Sequence, residues 1–168
     1  MATAPSPLTV RLVRIEAAMH KLVAALHASC FEDSWNAYTV GQVMRMPGAF
    51  GVLALISRPG GGPDVPVGFA MASGAHDERE LLSIGVLRDY RRAGIGRELV
   101  SSVIDQATAS GAARLFLEVA EDNLAAQNLY RAYGFLPVGR RPGYYRRKAG
   151  PPVAALTLRR NLRPPSVD

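Results

Sequence analysis

Apolar positions along this chain change period several times, and each change marks an element. Residues 8–14, "LTVRLVR", alternate as a half-buried strand does. Over 16–31 the spacing turns helical, with Ala18, Leu22, Ala25 and Leu26 on one side, and a second short helix is expected over "NAYTVGQVMRM", ending before Pro47-Gly48. "FGVLALIS" (50–57) and "VPVGFAMAS" (65–73) are apolar and β-branched about the turn "RPGGGPD", which makes them a hairpin. "ELLSIGVL" (80–87) is a further strand. Ile95, Leu99, Val103 and Ala107 then recur every four residues, Val100 and Ile104 widen the stripe, and Gly111 stops the helix.

"ARLFLEVA" (113–120) alternates again, and 123–134 forms a helix capped by Asn123 and stopped by Gly134, with Ala125, Leu129 and Tyr133 on its apolar face. "FLPVGRR" and "VAALTLRR" are two last strands around "PGYYRRKAGPP", and Pro164 onward is a tail. The order predicts one α/β domain over 1–163 with a mixed sheet and helices on both faces. Glu80 to Ala120 should be a right-handed parallel crossover.

Composition narrows the chemistry. At 168 residues and 48% hydrophobic content the chain buries a full core without staples. Cys30 stands alone, and His20, His27 and His76 form no HxxxH pair, so neither a disulfide nor a metal site is expected. "MATAPSPLTV" lacks the basic start and apolar run of a secretory leader, and no apolar run reaches the ~18 residues that span a membrane. A cytoplasmic protein is the expectation. The net charge of +6 is lopsided: Met1 to Gly139 carries 12 cations against 13 anions, whereas Arg140 onward carries eight cations against Asp168. That basic end is either a solvated segment or a contact for an anionic ligand or RNA.

The stretch "DYRRAGIGR" sits where a strand hands over to a helix. Closely spaced glycines there expose backbone N–H groups at the positive end of the helix dipole, and Arg91, Arg92 and Arg97 add formal charge. The spacing R-x-x-G-x-G is neither the nucleoside-triphosphate loop nor the dinucleotide fingerprint. A phosphate cradle and a plain basic turn both fit the stretch taken alone.

Together, "LLSIGVLRDYRRAGIGRELV" and "LFLEVAEDNLAAQNLYRAYGF" resemble the GNAT superfamily of acetyl-coenzyme A-dependent N-acetyltransferases, and within it the ribosomal-protein-alanine N-acetyltransferases. The strong resemblance covers residues 81–145, with a weaker one at "HASCFEDSWNAYTV". It implies a mixed, mostly antiparallel sheet of six to seven strands with helices on both faces. It implies that the amides of Arg92, Ala93, Gly94, Ile95, Gly96 and Arg97, beside Arg91, hold the coenzyme A pyrophosphate, that the backbone of Ile84 and Val86 pairs with the pantetheine arm, and that Asn123 touches it. The resemblance also implies acetyl-coenzyme A as the donor, no need for a metal, and the N-terminal alanine of a small-subunit ribosomal protein as the acceptor.

An amine attacking a thioester must be neutral. At pH 7.5 an α-amine is roughly one quarter neutral and a lysine about 0.1% neutral, so an N-terminus needs only a modest base. Glu118 is the candidate: Leu115, Leu117 and Val119 share one face of their strand, leaving Glu118 opposite with Phe116 and Ala120. A carboxylate within a covered sheet wants a partner or a purpose. A pairing arginine would satisfy it, and the resemblance instead implies the catalytic base. Tyr130 lies about 100° from Leu129 around its helix, which leaves it free to point away from the apolar face, and the resemblance implies the general acid for the departing thiolate.

On the acceptor side, Ser34-Trp35 replaces the family's usual proline-tryptophan, and Tyr144-Tyr145 runs into "RRKAGPP" with no acid from Arg140 to Arg163. Phe31, Asp33, Trp35, Tyr144 and Tyr145 are the expected peptide-groove residues. The family's acceptor continues into a basic segment, which this hairpin would repel, so either the basic cluster turns to coenzyme A or ribosomal RNA, or the acceptor differs. Two other functions fit less of the pattern. One is a small-amine acetyltransferase for polyamines or aminoglycosides, which should favour an acidic groove. The other is a non-catalytic acetyl-coenzyme A-binding module docked to ribosome or RNA, which would not need Glu118 and Tyr130.

Overall fold

The computed structural model describes residues 9–58 and 60–162, so Leu8, Arg163 and the expected tail lie outside the described residues. Among the described residues seven strands form one sheet in the order β1-β2-β3-β4-β5-β7-β6. They are β1 (Val10–Arg14), β2 (Phe50–Ile56), β3 (Val65–Ser73), β4 (Glu78–Val86), β5 (Arg114–Ala120), β6 (Leu136–Tyr145) and β7 (Val153–Asn161). Every neighbouring pair is antiparallel except β4 and β5, which are joined by the helical crossover. The mixed, mostly antiparallel sheet is as expected.

Helices cover both faces, and each buries its own core. Against one face, α1 (His20–Cys30) and α2 (Ala37–Val43) pack Val23, Leu26 and Val40 onto Leu53, Phe69 and Met71. On the other, α3 (Ile95–Ala109) presents Ile95, Leu99, Val103 and Ala107 to Ala70, Leu81, Leu115 and Leu117. That is the stripe read from the sequence. Each fully buried Leu or Ile contributes about 1.5–3 kcal/mol against exposure, enough to hold a helix whose intrinsic tendency is weak.

Two expectations are corrected. On α4 (Leu124–Ala132) the buried residue is Tyr130, while Ala125 is exposed. Ala126, Leu129, Tyr130 and Tyr133 form the inward face because i, i+3, i+4 and i+7 share one side of a helix, and Tyr130 packs edge-on to Phe135 at 5.8 Å. The second correction concerns β6, which runs on through Tyr144-Tyr145. As an edge strand it tolerates Pro142, and its register with β7 shifts between Arg141 and Tyr145.

A close approach fixes Gly85 of β4. A Cβ there would lie 2.8 Å from the Phe69 ring and 2.9 Å from Cys30 Sγ. Gly85→Ala should therefore cost ~1–3 kcal/mol in chemical denaturation. An unchanged midpoint would contradict this packing.

Candidate active site

The site begins where β4 and β5 part. At their near ends the two strands are clamped: the Ala113 and Arg114 N–H groups donate to the Asp77 carbonyl at 2.6 and 3.1 Å, and the Arg114 side chain bridges Asp77 and Glu78. Ladder pairing then holds for four residue pairs, from Glu78↔Arg114 to Leu81↔Leu117, and stops. There β4 carries an extra residue against β3, since Ala72 faces Leu81 and Met71 faces Ser83, which leaves Leu82 bulged. A bulge bends and twists its strand. Beyond it, β4 pairs only with β3 and β5 only with β7, so a gap opens inside the sheet.

The free edge of β4 is polar and available. Leu87 N–H donates to the Val67 carbonyl at 2.8 Å, so by antiparallel alternation Ile84 and Val86 turn their N–H and C=O groups into the gap. The Val86 carbonyl takes Arg91 Nε at 2.9 Å. Arg91 is thus folded back toward β4 and Cys30, not onto the glycine turn. Burial raises the Cys30 thiol above its ordinary value, with Arg91 opposing.

At the far end of the gap the chain turns into α3. Arg92 and Gly94 adopt positive φ of 62° and 84°, a conformation glycine takes freely and arginine at a cost. The first helical bond runs from Glu98 N–H to the Gly94 carbonyl at 3.2 Å, which leaves the amides of Ile95, Gly96 and Arg97 without a helical acceptor. Nothing lies within 4 Å of where a Gly94 Cβ would stand. That combination of bare amides and open space is a cradle for an anion. α4 braces it: Leu129 lies 3.5 Å from a Cβ built on Gly96, and Tyr133 Oη donates to the Arg97 carbonyl at 3.2 Å. Asn123 caps α4 as expected, its Oδ1 accepting from Ala126 N–H at 3.2 Å.

Glu118 is the first residue of β5 beyond the last pair with β4. Its side chain is 16% exposed and pairs with Arg141 Nε at 3.1 Å. Both line a cavity of about 430 Å³ with Glu78, Glu80, Phe116 and Thr157. Burial, then the neighbouring Glu118 charge, pushes the Glu80 carboxyl above its ordinary value, against the opposing pull of Arg141. Tyr145 senses the same carboxylate: burial first, then Glu118 and Tyr144, raise its phenol. Burial and then Tyr145 push the Tyr130 phenol up to about 12. Glu118 and Tyr130 are therefore each electrostatic neighbours of Tyr145. Tyr144 meets Tyr145 edge-on at 5.0 Å and carries the Arg141 guanidinium 5.4 Å from its ring centre.

The remaining groove residues stand across the gap, on the β3–β4 side. Trp35 stacks on His27 at 4.8 Å, and Phe31 packs against the same imidazole at 4.6 Å while 40% exposed. Asp33 is exposed. Sequence reasoning missed His27. It is buried, burial lowers its imidazole below the ordinary value, and its Nδ1 accepts the Trp35 backbone N–H at 3.1 Å, which fixes the α1–α2 loop. Its i−4 spacing from Phe31 was the available signal.

A sheet split between two parallel strands, with an amide-lined helix start at one end of the split, is the frame of a GNAT-type transferase. The Acetyltransferase (GNAT) family matches residues 20–135, and the chain belongs to it. By sequence it is 42% identical over 77 residues to the [ribosomal protein bS18]-alanine N-acetyltransferase of Escherichia coli, 46% of this chain and 52% of that protein. The chain thus spans about half the length of the curated relatives it matches. The crystal structure of the Escherichia coli ribosomal-protein-S18-alanine N-acetyltransferase superposes with a TM-score of 0.82 at 24% identity, covering 94% of this chain and 97% of that one. The NatC complex bound to Gag peptide and CoA gives 0.79 at 20% identity, covering 92% and 99%. At these identities the two structures report a shared fold.

The buried phenol yields a prediction. In a spectrophotometric titration one tyrosine should ionise near pH 12, and Tyr130→Phe should remove that phase. Because the folded value lies above the unfolded ~10, stability should fall as pH rises through this interval. Loss of no late phase in the variant would contradict the burial of Tyr130.

Proposed function

We propose that this chain transfers an acetyl group from acetyl-coenzyme A to the N-terminal α-amine of a protein in the cytoplasm. The N-terminal alanine of a small-subunit ribosomal protein is the acceptor suggested by the name of its Escherichia coli relative. The observation that carries the reading is the position of Glu118: a sheltered carboxylate at the point where β4 and β5 part, with the open β4 edge beside it.

The residues fit the donor. Ile84 and Val86 offer strand-like hydrogen bonds to an amide-bearing arm, once Arg91 releases the Val86 carbonyl. The bare amides through Arg97 and the open space over Gly94 suit a pyrophosphate, with Arg92 and Arg97 nearby in sequence to add charge. Bound there, acetyl-coenzyme A supplies the activated acetyl thioester.

The chain's own residues supply the proton handling. Glu118 accepts the proton the amine gives up, directly or through one water, and an α-amine that is already roughly one quarter neutral at pH 7.5 asks little of it. Tyr130 keeps its proton throughout the working pH range. A phenol near 12 is too weak an acid to hand a proton fully to a thiolate near 8.5, so Tyr130 serves as a fixed hydrogen-bond donor to the departing sulfur. Phe31, Trp35 and Tyr144 wall the acceptor's path from either side of the gap.

Peptides test this. A peptide with a free N-terminal alanine should be acetylated, and the same peptide with a blocked N-terminus and a free lysine should not. Glu118→Gln should lower kcat/KM by roughly 10²–10⁴-fold, and Tyr130→Phe by roughly 10²–10³-fold, with coenzyme A affinity intact in both. Acetylation of the lysine alone would overturn the α-amine assignment.

A further inference from the structure

The loop that carries Phe31 and Trp35 to the gap has few anchors. Its middle residues, Glu32, Asp33 and Ser34, are exposed. Among the described residues, 32–35 make one hydrogen bond, from the Trp35 backbone N–H to His27 Nδ1 at 3.1 Å. His27 also holds the loop's first residue, since its carbonyl accepts the Phe31 N–H at 2.9 Å. Its ring lies between the two aromatic walls, 15° from parallel with Trp35 and tilted 34° to Phe31. The Phe69 ring of β3 stands 5.5 Å from the same imidazole, and only 3% of His27 reaches solvent. One buried side chain thus ties both ends of the loop to α1, by a bond and by ring contacts.

Resting on the Nα-acetyltransferase reading, we propose that His27 is a positioning residue for the acceptor: it holds Phe31 and Trp35 as one wall of the groove, and does so only while Nδ1 carries no proton. The Trp35 N–H needs the Nδ1 lone pair. A protonated imidazole has donors at both nitrogens, so two N–H groups would face each other where the bond now runs. A buried donor left without an acceptor is costly, and 32–35 have no second bond to hold them. The surrounding charges do not offset this. β3 carries no titratable residue, and those of β4, Glu78 to Glu80, stand at the other end of that strand from Gly85, which faces Phe69. Next to His27 on α1 is Cys30, which interacts with Arg91, and Tyr38 of α2, Glu32 and Asp33 are exposed. Burial alone moves the His27 imidazole, and moves it down. Because the folded value lies below the unfolded ~6.5, the wall is intact above that pH and is lost as pH falls through the folded value. The donor's edge on β4 and the amides of α3 involve no histidine, so they keep their form in the same range.

Trp35 is the chain's only tryptophan, so its fluorescence reads this contact directly. An imidazolium in ring contact quenches an indole. Titrating the unaltered protein downward from pH 7.5 should give one quenching transition with its midpoint below ~6.5. His27→Asn, whose Oδ1 can still accept the Trp35 N–H but does not titrate, should abolish the transition. Kinetics with an alanine-first peptide supply the second readout. At pH 7.5 His27→Leu should raise the peptide KM by roughly three- to tenfold and leave the KM for acetyl-coenzyme A unchanged, and His27→Asn should restore most of the loss. As pH falls, the native peptide KM should climb relative to that of His27→Asn, a ratio in which the titration of the amine itself cancels. Absence of the transition, its survival in His27→Asn, or KM values for both substrates that move together would overturn the role of His27 while leaving α-amine transfer standing. The titration uses the unaltered chain, so a misfolded variant cannot shelter the proposal. A peptide that the native protein never acetylates would overturn both readings.

Discussion

The structure depends on a limit to strand pairing. β4 and β5 are clamped through Asp77 and Arg114, run parallel for four residue pairs, and are then driven apart by the bulge at Leu82. Backbone groups inside a sheet are ordinarily consumed by the neighbouring strand. Here two strands end beside each other with their inner edges open, in the middle of a domain whose cores on both faces are closed. The parting sets Glu118 at its apex, turns Ile84 and Val86 toward the gap, and leads β4 directly into the amide-lined start of α3.

Charge follows the same geometry. Glu118 near the end of β5, and Glu121 and Asp122 in the β5–α4 connection, each meet an arginine of the β6–β7 hairpin. The hairpin is therefore strapped across the end of β5 by ion pairs, which engage three of the eight cations that make the chain's last segment conspicuous. Exposed pairs of this kind add little to stability, at most about 1 kcal/mol each. Their consequence is positional: they hold Tyr144 and Tyr145 beside Glu118 and Tyr130.

Much of this was legible from period and spacing. The alternation in 113–120 placed Glu118 opposite Leu115, Leu117 and Val119, and the four-residue recurrence from Ile95 to Ala107 gave α3, because both signals reflect burial on one face. The inward face of α4 was misread because a nine-residue helix with Ala125, Ala126, Leu129, Tyr130 and Tyr133 offers two overlapping apolar sides. Only the neighbours, Phe135 above all, decide between them. The bulge at Leu82 leaves no mark in the sequence, since neither a glycine nor a proline stands beside it. Nor does net charge reveal that Arg140, Arg141 and Arg147 have acids across the sheet, since those partners lie 19 to 25 residues away.

The central claim is that the unpaired edge of β4 is the donor's binding edge. Backbone hydrogen exchange over residues 83–87, with and without coenzyme A, tests it most directly. The account predicts that the amides of Ile84 and Val86 exchange readily in the free protein and become protected on coenzyme A binding, while Leu87, already bonded to Val67, changes little. Coenzyme A binding that leaves Ile84 and Val86 exchanging as before would contradict it.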